Sequence, residues 1–299
     1  MRHALLLLCT FLSCLLPAQA LLVTPLDGDA AEPHFNPLFI QRNRITAIHG
    51  KRMVKRDNEP MRERKERHLY RFDEEGRIIY SNNSFGQPGT GRDTASTIFE
   101  YDAQGRLVKR LRNDLAGHFA YTVEHDEQGR PVRETYTRIA NLGPDRYQLI
   151  PGAGTEISDE HFRYETVNDT VWKKIHLNSL GLPFREQWFT KDKLGYLRSV
   201  EDRYLISARR SLSTFRYDEK GRLYERVDRP DLNTSRSTRR TWLYDAADNV
   251  IESEVWHDDQ HVEHIEFLYE EQTMMLKARL SKDIATGTIH VVRYTTELR

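Results

Sequence analysis

The stretch Phe99-Glu-Tyr101-Asp102-Ala-Gln-Gly105-Arg106 decides the fold, because the chain repeats its pattern. The pattern is an aromatic residue, any residue, a second aromatic residue or His, then Asp, two residues, Gly and Arg. Clear copies surround Asp73 and Asp218, and looser copies surround Asp126 and Asp245. The spacing is 29 positions from Asp73 to Asp102, 24 from Asp102 to Asp126 and 27 from Asp218 to Asp245, with decayed copies between Asp126 and Asp218. A unit that recurs at such a period indicates a repeat architecture.

Each copy has the chemistry of a β-hairpin. Side chains alternate between the two faces of a strand, so aromatic residues at alternate positions place both rings on one face. Asp accepts backbone hydrogen bonds in the turn, and Gly adopts the positive φ of a type I turn with a bulge. The predicted turn residues are Asp73, Gly76, Asp102, Gly105, Asp126, Gly129, Asp192, Gly195, Asp218, Gly221 and Asp245.

The hairpins run from about Tyr70 to at least Tyr269. We predict an all-β fold, an array of antiparallel β-hairpin repeats that forms one long, curved meander sheet of about eight to ten hairpins. Aromatic rings would cover one face and charged side chains the other, and the pattern leaves closure of the sheet open. An outer-membrane barrel is disfavoured, because its lipid-facing band has to be apolar and charged residues interrupt nearly every strand here.

The beginning of the chain has a different character from the array. Met1-Arg-His is a short positive start, Ala4 to Leu16 is apolar, and Ala18-Gln-Ala20 is a cleavage signal of small residues. Residues 1–20 are therefore predicted to be a secretory signal peptide. We assign residues 21–40 to a linker or an arm covering a sheet edge, and residues 41–299 to the repeat domain.

Both cysteines, Cys9 and Cys14, lie in the predicted signal peptide. We therefore expect an exported chain without disulfides or thiolate metal sites, located in a bacterial periplasm or outside the cell. Lipoprotein anchoring through Cys14 is disfavoured, since Phe11-Leu12-Ser13 is a poor lipoprotein signal.

Composition narrows the class of partner. The chain has 45 basic and 45 acidic residues, 30% charged residues in all, and a mean hydropathy of −0.71. Because the formal net charge is +0, charge favours neither nucleic acid nor an anionic membrane as partner. After the predicted signal peptide no stretch approaches the roughly 18 consecutive apolar residues of a transmembrane helix, so no transmembrane segment is expected.

The phrase aromatic-x-Tyr-Asp-x-x-Gly-Arg-Leu resembles the YD repeats of RHS, WapA and teneurin-type proteins. The resemblance covers most of the chain after residue 69 and is to a short member without the core or toxin domain. It implies hairpins joined in a continuous spiralling sheet, and a role in adhesion or carbohydrate contact.

One segment has the composition of a metal site. His257, His261 and Glu263 lie around a predicted hairpin turn, and imidazole and carboxylate groups are ligands for zinc or copper. His264 is an odd number of positions from His261, so it points to the other face. The turn and its charges are equally explained as a solvated hairpin, and we predict no metal or cofactor.

Two further sets of residues are candidates for binding. Arg146 and Tyr147 lie in the longest break in the repeat, and long loops on rigid scaffolds often carry function. Trp242 and Trp256 belong to the aromatic series, where an exposed ring would stack on a sugar or anchor a protein. The alternative for both rings is a structural role in the core.

The sequence predicts a non-enzymatic interaction or scaffold protein of the cell envelope or exterior, with a protein or polysaccharide as partner. A carbohydrate-binding module is the alternative, followed by an envelope-directed hydrolase. No catalytic residue is assigned, because no recognised nucleophile or metalloprotease motif is present.

Overall fold

The computed structural model describes residues 20–26, 33–84, 94–114, 116–143 and 150–299. The predicted signal peptide up to residue 19, and Arg146 and Tyr147, lie outside the described residues. One helix, α1 (Pro37–Arg42), precedes the strands. The strands are β1 (Ile45–Lys55), β2 (Arg62–Phe72), β3 (Ile78–Ser84), β4 (Thr94–Tyr101), β5 (Leu107–Asp114), β6 (Gly117–His125), β7 (Pro131–Asn141), β8 (Pro151–Asn168), β9 (Val171–Leu177), β10 (Pro183–Lys191), β11 (Leu197–Tyr204), β12 (Arg210–Tyr217), β13 (Leu223–Arg229), β14 (Thr238–Tyr244), β15 (Val250–His257), β16 (Gln260–Tyr269), β17 (Leu276–Asp283) and β18 (Ile289–Leu298).

These 18 strands form one antiparallel sheet in which each strand pairs with its neighbours in the chain. The sheet closes, because β1 also pairs with β18, from Ile45↔Leu298 to Lys55↔Ile289. The all-β antiparallel prediction is confirmed, and the long curved sheet is a closed barrel. Closure pairs the two edges that an open meander would expose. Barrels of 16–18 strands are wide enough to leave a lumen that side chains do not fill.

The connections divide into two sets, one at each end of the barrel. Six of the eight turns that follow even-numbered strands carry the repeated Asp turn or a close variant of it, and we call these the motif turns and this end the motif end. They are the turns at Asp73, Asp102, Asp126, Asp192, Asp218 and Asp245. The loops that follow odd-numbered strands form the opposite end, which we call the rim. The Asp form of the repeat thus marks one end of the barrel, while a related turn with Asn178 lies at the rim.

In each motif turn an Asp side chain holds the backbone. Asp218 Oδ1 accepts hydrogen bonds from the amides of Lys220 and Arg222 at 3.0 and 2.9 Å, and its Oδ2 accepts from Arg222 Nε at 2.7 Å. Gly221 there has a φ of +80°, as a type I turn with a bulge requires. The equivalent bond to the backbone amide four residues on recurs at Asp73, Asp102, Asp126, Asp192 and Asp245.

Tyrosines tie neighbouring motif turns together. The Tyr244 hydroxyl donates to the Leu223 carbonyl at 2.5 Å, and the Arg222 guanidinium lies 4.6 Å from the centre of the Tyr244 ring. Burial raises the pKa of Tyr244 to about 12, so its hydroxyl remains a donor at neutral pH. Tyrosines that bond in the same way to the preceding turn are Tyr101, Tyr164, Tyr217 and Tyr269.

The segment before β1 enters the motif end of the lumen. We call residues 20–26 and 33–42 the plug. Its two extended pieces pair through Leu22 and Phe35, and Pro37 begins the short helix α1. Leu21 and Ile40 of the plug are fully buried against strand residues. The part of the chain predicted to be a linker or edge arm therefore contributes to the main hydrophobic core.

A substitution at Gly76 would measure how tightly the plug packs on a motif turn. A Cβ at Gly76 would lie 2.0 Å from the Pro37 carbonyl oxygen, whereas no described atom lies within 4 Å of a Cβ at Gly195. Both glycines have positive φ, which costs an L-residue about 1–2 kcal/mol. We expect Gly76→Ala to lower the free energy of unfolding by at least about 1 kcal/mol more than Gly195→Ala, measured by urea denaturation. Equal losses would show that the plug does not pack on this turn.

Asp218→Ala removes three hydrogen bonds from one motif turn. We expect the free energy of unfolding to fall by about 1–3 kcal/mol, because the turn amides lose their acceptor. The matched control is Glu219→Ala, which changes an exposed side chain in the same turn. Urea unfolding of the two variants makes the comparison, and an equal effect would refute the role of Asp218.

The motif turns also predict acid sensitivity. Burial acts to raise the pKa of Asp218, but hydrogen bonds from Arg222 hold that pKa below its ordinary value. A carboxylate whose pKa is depressed in the folded state stabilises the fold at pH values above its unfolded-state pKa. This stabilisation is lost as the pH falls through the folded-state pKa. We expect the difference in free energy of unfolding between wild type and Asp218→Asn to shrink between about pH 5 and pH 2. A difference that stays constant over this range would contradict the assignment.

Candidate binding site in the barrel lumen

A cavity of about 840 Å³ lies in the lumen beside the plug. Strand residues from β2 to β7 form one side of it, and plug residues form the other. Because side chains alternate along a strand, the residues that line the cavity identify the lumen-facing positions of these strands. The lining aromatic residues are Phe35, Tyr70, Phe72, Phe99, Tyr101, Phe119, Tyr121 and Tyr136.

The aromatic rings of the cavity pack against one another. Phe119 and Tyr136 stack at 5.3 Å between ring centres, with 14° between their planes. On the plug side, Phe35 meets Tyr70 and Phe72 edge-on, at 4.9 and 5.3 Å. Offset-stacked and edge-on pairs are favourable arrangements for aromatic rings. They give the cavity an ordered apolar wall.

Three arginines line the same cavity, and its described lining residues include no Asp or Glu. Arg77 bonds to Asp73 at 2.7 Å, and Arg112 to Asp114 at 2.6 Å. Arg110 differs, since no ion pair to it is found among the described residues. Its guanidinium lies 4.3 Å from the Tyr121 ring centre, and its Nε is buried without a hydrogen-bond partner within the described chain. A buried donor without a partner is costly. Because this Nε is covered by protein, an anion in the cavity would interact with the charge of Arg110 and with its terminal nitrogens.

Tyr121 remains a neutral phenol beside Arg110. Burial raises its pKa well above the ordinary value, and its hydrogen bond with Glu134 raises the pKa further. Tyr121 therefore supplies an apolar face and a hydroxyl, and does not neutralise Arg110.

A second space of about 270 Å³ lies on the other side of Pro33 and Tyr70, which line both. Its charged lining residues include Arg52, Arg279 and Glu263. Burial, and then the charges of Arg52 and Arg279, lower the pKa of His68, which also lines this space. His68 is therefore neutral at neutral pH, and the positive charge here comes from the two arginines.

The outer wall carries most of the ion pairs. Arg133 makes two hydrogen bonds to Asp159, at 2.8 and 3.0 Å. Arg203 bonds to Glu201 at 3.0 Å, and its guanidinium lies 4.3 Å from the Trp188 ring centre. Many charges on the outside are therefore paired, within a strand or across two strands, whereas no ion pair to Arg110 in the lumen is found among the described residues. No helix among the described residues is both long and apolar enough to cross a membrane.

The two predicted binding tryptophans occupy different surroundings. Trp242 is 5% exposed and packs in a second core cluster with Phe215 and Leu223. Trp256 is half-buried on the outer wall, where it stacks on His261 at 4.5 Å and lies 4.5 Å from the Arg239 guanidinium. The structure does not bring these two rings together.

The predicted metal ligands His257, His261 and Glu263 do not converge either. His257 is exposed at the rim, whereas Glu263 lines the second lumen space and accepts a hydrogen bond from Ser281. Among the described residues, one other group has ligand atoms within 4.8 Å of one another, on the outer wall: Glu252, Glu254 and His264. Its members form ion pairs as they stand.

Arg110 and Arg112 were not among the predicted site residues. The expectation from the sequence was that charged residues lie on one face of the sheet and aromatic residues on the other. In the barrel both arginines share the lumen face with Phe119 and Tyr121, which they oppose across β5 and β6. The available signal was the alternation Arg110-x-Arg112 opposite Phe119-x-Tyr121.

Comparisons with known proteins find weak structural similarity and no sequence match. The chain matches no protein-family description and no curated protein at significance. A porin-like protein from Bacteroides uniformis has 13% identity over 85% of this chain and 97% of its own, with a TM-score of 0.40. One from Bacteroides vulgatus has 10% identity over 83% and 97%, with a TM-score of 0.34. A putative outer membrane lipoprotein-sorting protein domain from Vibrio parahaemolyticus has 13% identity over 87% and 91%, with a TM-score of 0.22. At these scores we draw no function from the likeness.

The predicted resemblance to YD-repeat proteins is wrong. No family description matches, and the structural neighbours include porin-like and lipoprotein-sorting proteins. The physical reason is that the repeated phrase encodes a generic device, an Asp-held turn tied by Tyr to its neighbour. The same device suits the end of a closed barrel.

Proposed function

We propose that the protein is an exported, non-enzymatic binding protein that holds an amphipathic anion in the lumen of its barrel. Its ligand would have an aromatic or acyl body and an acidic group. The observation that carries the proposal is the cavity beside the plug, with an ordered aromatic wall and a buried Arg110 Nε that lacks a partner in the described chain.

The two parts of such a ligand match two parts of the cavity. Phe119 and Tyr136 provide flat apolar faces, and apolar area contributes most of the affinity for small ligands. Arg110 and Arg112 lie at alternate positions of β5 and point to the same side. A guanidinium binds carboxylate or phosphate through charge-assisted hydrogen bonds, so the arginines would select anions.

The lumen is favoured over the outer surface that the sequence analysis proposed. Outer-wall charges such as Arg133 and Arg203 are already hydrogen-bonded within the wall. A sugar site needs an accessible ring, and Trp242 is buried. Neither feature supports a protein scaffold or a polysaccharide site as strongly as the cavity supports a small ligand.

Two related fluorescent probes test the proposal. Wild type is expected to bind anionic 1-anilinonaphthalene-8-sulfonate and neutral N-phenyl-1-naphthylamine. Arg110→Gln should weaken binding of the anion about tenfold, or about 1.4 kcal/mol, and change that of the neutral probe less than about twofold. Fluorescence titration of the purified protein gives both dissociation constants.

The matched control is Arg203→Gln on the outer wall. Arg203 lies as far from the Trp188 ring as Arg110 lies from the Tyr121 ring, 4.3 Å in each case. This control should leave both affinities unchanged, and Arg110→Lys should retain part of the affinity for the anion. Failure of wild type to bind the anion, or the same affinity in Arg110→Gln, would refute the proposal.

A further inference from the structure

The rim is apolar on one side of the barrel. Three adjacent loops, which follow β7, β9 and β11, expose large aliphatic side chains. Ile206 is 90% exposed and Leu180 is 80% exposed. We call this set the apolar arc, and its members are Leu142, Ile150, Leu180, Leu182, Leu205 and Ile206.

The apolar arc has almost no charge. Among the described residues of its loops, 142–143, 150, 178–182 and 205–209, Arg209 is the only charged one. The described loops on the other side of the rim are charged. They contain Asp57, Glu59, Asp231, Asp258 and Asp259 together with Arg56 and Arg236. The rim is thus divided into an apolar part and a charged part with an excess of acidic residues.

In the two loops after β9 and β11, the backbone is already hydrogen-bonded. Asn178 Oδ1 accepts from the amides of Leu180 and Leu182, each at 3.0 Å, and the Gly181 amide donates to the Asn178 carbonyl at 2.8 Å. The Leu205 amide donates to the Phe184 carbonyl of the neighbouring hairpin at 3.0 Å. Because the backbone amides of these loops already have hydrogen-bond partners, the loops can move from water into lipid without leaving an amide unpaired.

We propose that the apolar arc inserts into the surface of a phospholipid bilayer, so that the mouth of the barrel faces the lipid. The aliphatic side chains lie on separate hairpin loops at the rim, and so they present no continuous flat face for a folded protein. A fluid bilayer interface accommodates separate loops. Arg209 is exposed beside them, with its guanidinium bonded to the Pro230 carbonyl at 2.9 Å, and it adds a positive charge that anionic headgroups would attract. The ion pairs of the outer wall restrict the contact to the rim.

The test is flotation of the purified protein, without the predicted signal peptide of residues 1–20, with vesicles of phosphatidylglycerol and phosphatidylethanolamine. Wild type should float with the vesicles and remain bound in about 0.5 M salt, because insertion is apolar. The variant Leu180→Ser/Leu182→Ser/Ile206→Ser should lose at least about tenfold in partition coefficient. Matched controls are Leu194→Ser, 81% exposed at the motif end, and Leu243→Ser, 56% exposed on the wall. Each should stay within about twofold of wild type.

A second measurement does not depend on the triple variant folding. Ile206→Cys and Leu194→Cys are made in the same protein without residues 1–20, which has no other cysteine, and each carries an environment-sensitive nitrobenzoxadiazole label. With vesicles, a blue shift at position 206 but not at 194 supports the proposal. No flotation of wild type, full binding by a folded triple variant, equal loss in a control, or no shift at 206 overturns it. No lumen ligand is used, so the result is independent of the proposed function.

Discussion

The hydrogen bond from a tyrosine hydroxyl to the carbonyl of the preceding motif turn is the contact on which the rest of this structure depends. The hydrogen bonds of the motif Asp lie within one hairpin, so they do not fix the position of that hairpin relative to the next one. The bond from Tyr244 to Leu223, with Arg222 against the same ring, fixes each hairpin relative to the one before it. Repetition of this contact holds the motif end at one radius. The plug then has an opening of defined size to fill.

One copy shows how the contact can be replaced. Where the copies at Asp102, Asp218 and Asp245 have Tyr, the copy at Asp126 has His125, whose Nδ1 is buried without a partner among the described residues. Here Arg106 donates to the carbonyl of Asp126 at 3.1 Å, as Arg222 donates to the carbonyl of Asp245 at 3.3 Å beside Tyr244. The bond from Arg therefore links neighbouring turns where the bond from Tyr is missing.

Local chemistry was predictable from the sequence, and closure was not. The alternation of Tyr70 and Phe72, followed by Asp73, indicates a strand that ends in a turn, because both signals lie within eight residues. Pairing of β1 with β18 joins residues about 250 positions apart, and no local pattern encodes it. The lumen site could not be predicted from the sequence for the same reason. Arg110 on an open sheet would belong to a wet face, and only a closed wall places it with Tyr121 inside a lumen.

Closure also sets an order of events for folding. The strand that completes the wall is β18, and its partner β1 is among the first strands of the chain. Until residues 289–298 are available, both β1 and β17 present unpaired backbone along their length. Unpaired strand edges are templates for association between chains, and contacts so distant in sequence form slowly. The barrel therefore has a vulnerable period that ends only when its last strand is in place, and a chaperone acting on this protein would be needed during that interval.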